Sequence, residues 1–124
     1  MIPIETVKVD NELGSLRFSD RVIAIVARAA AVSVPGIAGM GETFLQSLSS
    51  VMSDRDTDGV HVGIRDGAVI LDLYVCVCHG LRIPAVALKL QETVKEAVSD
   101  ALGIRVSAVN VNVSQIVFEK DQAK

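Results

Sequence analysis

The stretch Ala68–Cys78, AVILDLYVCVC, is the longest strand-like run in the chain and predicts the centre of a β-sheet. Successive side chains of an extended chain point to opposite sides, so residues at odd positions share one face. That face carries only aliphatic side chains: Val69, Leu71, Leu73, Val75 and Val77. We therefore expect helices to cover it and form the core there.

The other face of this strand is mixed, with Ile70, Asp72, Tyr74, Cys76 and Cys78. This is neither a core pattern nor a solvent pattern, and we interpret the face as a candidate interaction surface. The last predicted strand extends it. The full set of predicted surface residues is Ile70, Asp72, Tyr74, Cys76, Asn110, Asn112, Ile116 and Phe118.

Composition narrows the class of protein. With 124 residues and 50% hydrophobic content, residues 1–124 are expected to form one domain whose core needs no disulfide or metal. The formal net charge of −3 argues against nucleic acid as a partner, because such binding draws on clustered Lys and Arg. The amino terminus lacks a secretory pattern and no apolar run is long enough to span a bilayer, so we expect a cytoplasmic protein without direct membrane insertion. Cys76 and Cys78 are expected to be reduced thiols.

The first half of the chain predicts a loose lead-in over residues 1–12, a strand over Gly14–Phe18 and a helix from Asp20 to about Ser33, with Ser19 as its N-cap. The folded part of the domain is predicted to cover about residues 13–118. The expected apolar stripe of the helix is Val22, Ile25, Val26, Ala29 and Val32. The connection that follows, rich in Gly, Ser and Asp to residue 58, is predicted to be mobile, with a weak helical turn around residues 44–51.

The second half predicts a hairpin, a helix and a strand. Asp66-Gly67 is a two-residue turn between a strand over residues 60–65 and the central strand. A second helix spans Ile83–Leu102, and a last strand runs from about Val106 to Phe118. The order β-α-β-β-α-β predicts an α+β two-layer sandwich with two helices on one face of a four-stranded sheet. A ferredoxin-like strand order and one with the last strand beside the hairpin both fit.

Three motifs suggest chemistry, and each has a simpler interpretation. The run from Asp54 to Gly59 imitates the first half of a calcium loop, but the twelfth position is Arg65 where an acid is needed. Cys76, Cys78 and His79 are spaced too closely for a usual metal site. No nucleophile stands beside a base, so we predict no enzyme, no metal and no cofactor.

Gly36-Ile-Ala-Gly39 follows a helix and resembles the GXXG loop with which KH domains grip single-stranded nucleic acid. It lacks basic residues inside the loop. A KH-like RNA-binding module is therefore the alternative hypothesis, and a plain helix stop is the simpler interpretation.

Several segments in order resemble the alkaline shock protein and general stress protein family of Gram-positive bacteria. They are the run 14–19 before an Ala-rich helix, Val34-Pro-Gly-Ile37, Gly59-Val60, LDLYVCVCHG, LQETVKEAV and AVNVNV. The resemblance covers about Leu13 to Val117. Ser33 and His79 depart from the family pattern, which often has an acidic residue and an aromatic there.

The resemblance implies a small non-enzymatic cytoplasmic protein. Some members are held at the inner membrane face by a separate membrane-anchored partner and are linked to cell-envelope stress, and others are associated with control of fatty-acid synthesis. We accordingly expect a homo-oligomer or a protein that binds protein partners.

Overall fold

The computed structural model describes residues 6–41 and 59–118, and its main sheet is built on the strand β5 (Ala68–Cys78), which has the predicted bounds. The strand β4 (Val60–Arg65) pairs antiparallel with the first half of β5. The strand β3 (Ile37–Met40) continues along the same edge, antiparallel to residues 75–77. The strand β6 (Val106–Val117) runs parallel to β5 along its other edge.

The turn between β4 and β5 confirms the predicted hairpin. Arg65 lies opposite Ala68, so two residues make the turn. Asp66 has φ 53° and Gly67 has φ 76°. Two successive positive φ values define the type I′ turn, whose twist matches that of the flanking strands.

The strand β3 corrects the prediction for Gly36–Gly41. This segment was expected to be a helix stop or a free GXXG loop, but it belongs to the sheet: the Cys78 amide donates to the Gly36 carbonyl at 2.9 Å and the Gly41 amide to the Tyr74 carbonyl at 2.8 Å. The strand forms because β5 is five residues longer than β4, 11 against 6, and the rest of that edge needs backbone partners. Residues 42–58 of the predicted mobile connection lie outside the described residues, and with them the predicted helical turn and the Asp-rich run up to Asp58.

Two helices lie on one face of the sheet. In α1 (Asp20–Val32) the Ser19 hydroxyl accepts from the Val22 amide at 3.3 Å, as the predicted N-cap requires. In α2 (Ile83–Leu102) a proline occupies the first turn, and Gly103 ends the helix with φ 68°. Both helices have the predicted ends to within a residue.

The core lies between the helices and the odd-numbered residues of β5. Those five side chains are at most 1% exposed, as are Leu90, Val94 and Val98 of α2. The predicted stripe of α1 is wrong in detail. The buried residues are Ile23, Ala24, Ala27 and Ala31, whereas Val22 and Val32 are exposed. Alanines face the core because α1 packs closely against both α2 and the sheet, where larger side chains would not fit.

The amino-terminal segment is a further correction. Within the predicted lead-in, β1 (Thr6–Asn11) pairs antiparallel with β2 (Gly14–Ser19). These two strands form a separate sheet, so β2 is not one of the four strands of the main sheet. Val9 and Phe18 pack against the core, and Leu13 at the turn is fully exposed.

The α+β two-layer fold is therefore confirmed, with β3 instead of β2 as one of the four strands of the main sheet. The open question of strand order is answered as well, because β6 lies beside the hairpin strand β5. Parallel strands need a crossover connection, and α2 supplies it over the core face. Neither helix among the described residues is long and apolar enough to span a membrane.

Candidate functional site: the open face of the sheet

The face of the main sheet opposite the helices is the candidate site, and we call it the open face. Ile70, Asp72 and Tyr74 of β5 alternate with the buried core residues and are each partly exposed. The register places Asn110 beside Asp72 and Asn112 beside Tyr74. Five of the eight predicted surface residues are thus brought together on two neighbouring strands.

A row of three polar side chains crosses the centre of the open face. Asp72 lies between His61 of β4 and Asn110 of β6. The Asn110 Nδ2 atom donates to the Asp72 Oδ1 atom at 2.9 Å. The hydrogen bond orients the carboxylate and joins two strands through their side chains as well as their backbones.

Tyr74 is the aromatic centre of the open face. Its ring meets the His61 ring edge-on, with centroids 5.3 Å apart and an interplanar angle of 81°. On its other side the Asn112 Nδ2 atom donates to the Leu73 carbonyl at 3.2 Å. The tyrosine ring therefore has defined neighbours although it is only half-buried, which favours one orientation.

The backbone around Tyr74 is fixed from two directions. Its amide donates to the Gly59 carbonyl at 2.8 Å, and its carbonyl accepts from the Gly41 amide. Gly59 has φ 82°, and a Cβ atom there would come within 2.5 Å of the Gly41 nitrogen and 2.8 Å of the Tyr74 oxygen. Only glycine allows this approach, so the ends of β3 and β4 meet at the residue that carries the aromatic ring.

Ile70 has small neighbours on both sides. Its partners across the sheet are Gly63 on β4 and Ala108 on β6. Neither side chain is large enough to cover an isoleucine, and Ile70 stays partly exposed. The open face therefore offers an apolar contact next to the polar row.

Cys76 is a correction to the predicted surface. Although it follows Tyr74 on the same side of β5, its side chain is fully buried. Burial raises the pKa of the Cys76 thiol, which keeps it protonated and unreactive. Cys78, two residues further, is partly exposed, and neither cysteine is in a disulfide.

Ile116 and Phe118 are also not brought to the open face. The register of β6 shifts by one residue after Val113, so Ile116 lies beside Val77 of the core face. A bulge of this kind moves all following side chains to the opposite side of the sheet. Phe118 follows the end of β6, and the centroid of its ring lies 4.5 Å from the centroid of the His79 ring. Both side chains are exposed, but away from the open face.

His61 is the residue of this site that sequence reasoning missed. It lies beside Asp72 and contacts Tyr74. A usable signal was present. A two-residue turn at Asp66-Gly67 places residue 65 opposite 68, and counting back along both strands places 61 opposite 72.

The open face has the chemistry of a binding surface. It presents a carboxylate, two amides, a phenol and an imidazole beside an aliphatic side chain on three paired strands. Within residues 6–41 and 59–118, no group of three or more His, Cys, Asp or Glu side chains is placed to hold a metal ion. A surface that combines polar, aromatic and aliphatic side chains is typical of contacts with another protein.

Two kinds of sequence comparison agree on the relatives of this chain. An uncharacterised protein of Streptococcus pyogenes, Spy1535, is 32% identical over 110 residues, covering 87% of this chain and 83% of that protein. The uncharacterised Bacillus subtilis proteins YloU and YqhY are 30% and 27% identical, covering 90% and 89% of this chain and 95% and 82% of their own lengths. The model of the alkaline shock protein 23 family, described by a cell envelope-related function, matches residues 8–118.

Solved structures give a weaker likeness. Variants of the MamM CTD superpose with a TM-score of 0.49 at 16% sequence identity, covering 77% of this chain and 94% of theirs.

The family model covers nearly the whole of the described fold, including every strand that builds the open face. The chain therefore belongs to the alkaline shock protein 23 family, whose function is cell envelope-related.

Proposed function

We propose that this protein is a non-enzymatic scaffold of the cell envelope, which acts by self-association and by binding protein partners through the open face. The observation that carries the proposal is the contrast between two sides of one sheet. Both helices pack on the core face, whereas Ile70, Asp72 and Tyr74 stay accessible on the other. A sheet with one free face can bind a partner without disturbing its core.

The order of the open face supports a binding role. Asn110 holds the Asp72 carboxylate and His61 contacts the Tyr74 ring, so these side chains have little freedom left to lose. Association costs less when the contacting side chains are already ordered. Tyrosine is also a residue that often dominates the energy of an interface. Tyr74 is therefore expected to be the main contact.

The surface of α2 supports an indirect association with the membrane, through a partner protein. Its apolar side faces the sheet, and exposed Lys89 and Lys95 alternate with exposed Glu92 and Glu96. A helix that lies on an anionic bilayer needs a spare apolar side and a cationic one. We propose that a membrane-anchored partner protein, bound through the open face, holds this cytoplasmic chain at the inner face of the membrane in cell-envelope homeostasis. Control of fatty-acid synthesis through such a partner is the other role within this proposal.

The experiment is partner capture from detergent-solubilised membranes of the source organism, with Tyr74→Ser compared with Leu88→Ser. Leu88 is an exposed apolar residue of α2, at 57%, and serves as the matched control. We expect Tyr74→Ser to lose the captured membrane protein and Leu88→Ser to keep it.

Two results would overturn the proposal. One is that Tyr74→Ser captures every partner as well as the unaltered protein does. The other is that the purified protein alone sediments with anionic lipid vesicles at physiological salt, since binding would then need no anchored partner.

A further inference from the structure

The outer edge of β6 has an unusual composition. Within the described residues this 12-residue strand pairs with β5 alone, so its other edge faces away from the sheet. From Val106 to Phe118 the sequence VSAVNVNVSQIVF contains no charge, no proline and no glycine. Edge strands usually carry charged side chains or proline, because these residues prevent pairing with another chain. The strand itself carries neither a charge nor a proline to prevent pairing.

Hydrogen bonds show which backbone groups point outward. The Gln91 side chain of α2 donates to the Val109 carbonyl at 3.0 Å. This carbonyl therefore points away from β5, and its second lone pair can still accept from an amide. Peptide groups alternate in direction along a strand, so Val111 and Val113 present their N–H and C=O groups outward in the same way.

The middle of the edge reads the same in both directions. Val109-Asn-Val-Asn-Val113 is a palindrome centred on Val111. In an antiparallel pair related by a two-fold axis at Val111, Val109 lies opposite Val113 and Asn110 opposite Asn112. All valines then stay on the core face and all asparagines on the open face, as the pairing of like faces requires.

The part of β6 that has a regular register also surrounds Val111. The register between β5 and β6 is irregular near Ser107 and again near Ser114, and it is regular from Ala108 to Val113. Bulges bend a strand and end its pairing, so the regular segment between them is the part that can pair. Val113 within it is 39% exposed, although it belongs to the core face.

We propose that a second copy of this chain pairs with β6 edge to edge, antiparallel and centred on Val111. The two main sheets become one, and their two open faces form a single continuous surface across the two-fold axis. This deepens the proposed function, because it rests on self-association and names the strand that mediates it. The partner is a second copy because the palindrome makes the edge complementary to itself, and an uncharged segment brings no like charges together.

The test compares Val113→Lys with Val32→Lys by sedimentation equilibrium. Val32 on α1 is 43% exposed, so the control makes the same change at a similar exposure away from the edge. We expect the unaltered protein and Val32→Lys to dimerise, and Val113→Lys to dissociate with a Kd raised about tenfold or more, since a charge at the edge opposes pairing. Thermal unfolding of each variant, followed by circular dichroism, checks that the fold is kept.

A second measurement needs no variant. Amide hydrogen exchange of Val111 and Val113 in the unaltered protein is expected to slow as the protein concentration rises through the Kd. Exchange that is independent of concentration, or a Val113→Lys dimer as stable as that of Val32→Lys, would overturn the proposal. A monomeric protein that still loses its membrane partner on Tyr74→Ser would refute the edge pairing and leave the open face as the binding site.

Discussion

The two faces of β5 carry alternate residues of the same eleven and differ in almost every property. On the core face, five aliphatic side chains are at most 1% exposed beneath two helices. On the open face, Asp72 and Tyr74 are partly exposed and held by hydrogen bonds and ring contacts from neighbouring strands. One face stabilises the fold, and we propose that the other binds a partner. Substitutions on the first should change stability, and substitutions on the second should change binding.

The largest expected effect is on the core face. Leu73→Ala should lower the free energy of unfolding by about 2–5 kcal/mol, because it leaves a cavity at a fully buried site. Its neighbour Tyr74→Ser should cost about 1 kcal/mol, mainly the contact with His61. Urea denaturation measures both. Equal losses would show that the open face is part of the core.

The second effect concerns the place where β3 and β4 meet on Tyr74. Gly59→Ala should destabilise the protein by about 2 kcal/mol, because φ is positive and the new Cβ atom would press on two backbone groups. Gly63→Ala is the matched control, since its nearest neighbour would be the Ile70 oxygen at 3.8 Å. Thermal unfolding of both variants is the measurement. A Gly59→Ala protein as stable as Gly63→Ala would mean that the junction adapts.

A smaller effect is expected for the polar row of the open face. The hydrogen bond between Asp72 and Asn110 should give a coupling of about 0.5–1 kcal/mol in a double-mutant cycle with alanine. The pair Asp72 and Asn112, which the structure does not join, is the control. Coupling of the same size in both pairs would show that the cycle measures general effects of the sheet.

The smallest effect is that of pH on Cys76, the buried residue among the accessible ones. Burial raises the folded-state pKa of this thiol above its ordinary value of 9.0. The stability that the neutral thiol contributes is therefore complete below about pH 9 and is lost as the pH rises through the folded pKa. The melting temperature of the unaltered protein should fall more between pH 8 and pH 10 than that of Cys76→Ala. Parallel falls would mean that Cys76 is accessible to water.

Local patterns predicted the elements that depend on nearby residues. The Asp66-Gly67 turn determined the hairpin, and with it the register that places His61 beside Asp72. The caps Ser19 and Gly103 determined helix ends. Alternation along residues 109–113 placed Asn110 and Asn112 on the same face as Asp72. Each of these is a property of a few consecutive residues.

The predictions that were wrong concern choices made by distant residues. Almost every position of α1 from Val22 onward is apolar, so periodicity alone did not select its buried side, and close packing against α2 selected the alanines. The short segment Ile37–Met40 is a strand only because β5 extends beyond β4. The lead-in became β1 because β2 offered it a partner.

The sequence by itself therefore determined the two faces of β5, the hairpin, the helix ends and most of the open face, since periodicity and turn chemistry act over a few residues. Tertiary structure alone decided that β6 lies beside β5, that Cys76 is buried and that a bulge turns Ile116 to the other side. The physical reason is that strand neighbours, close packing and bulges depend on which backbone edges are left unpaired once the rest of the chain has folded.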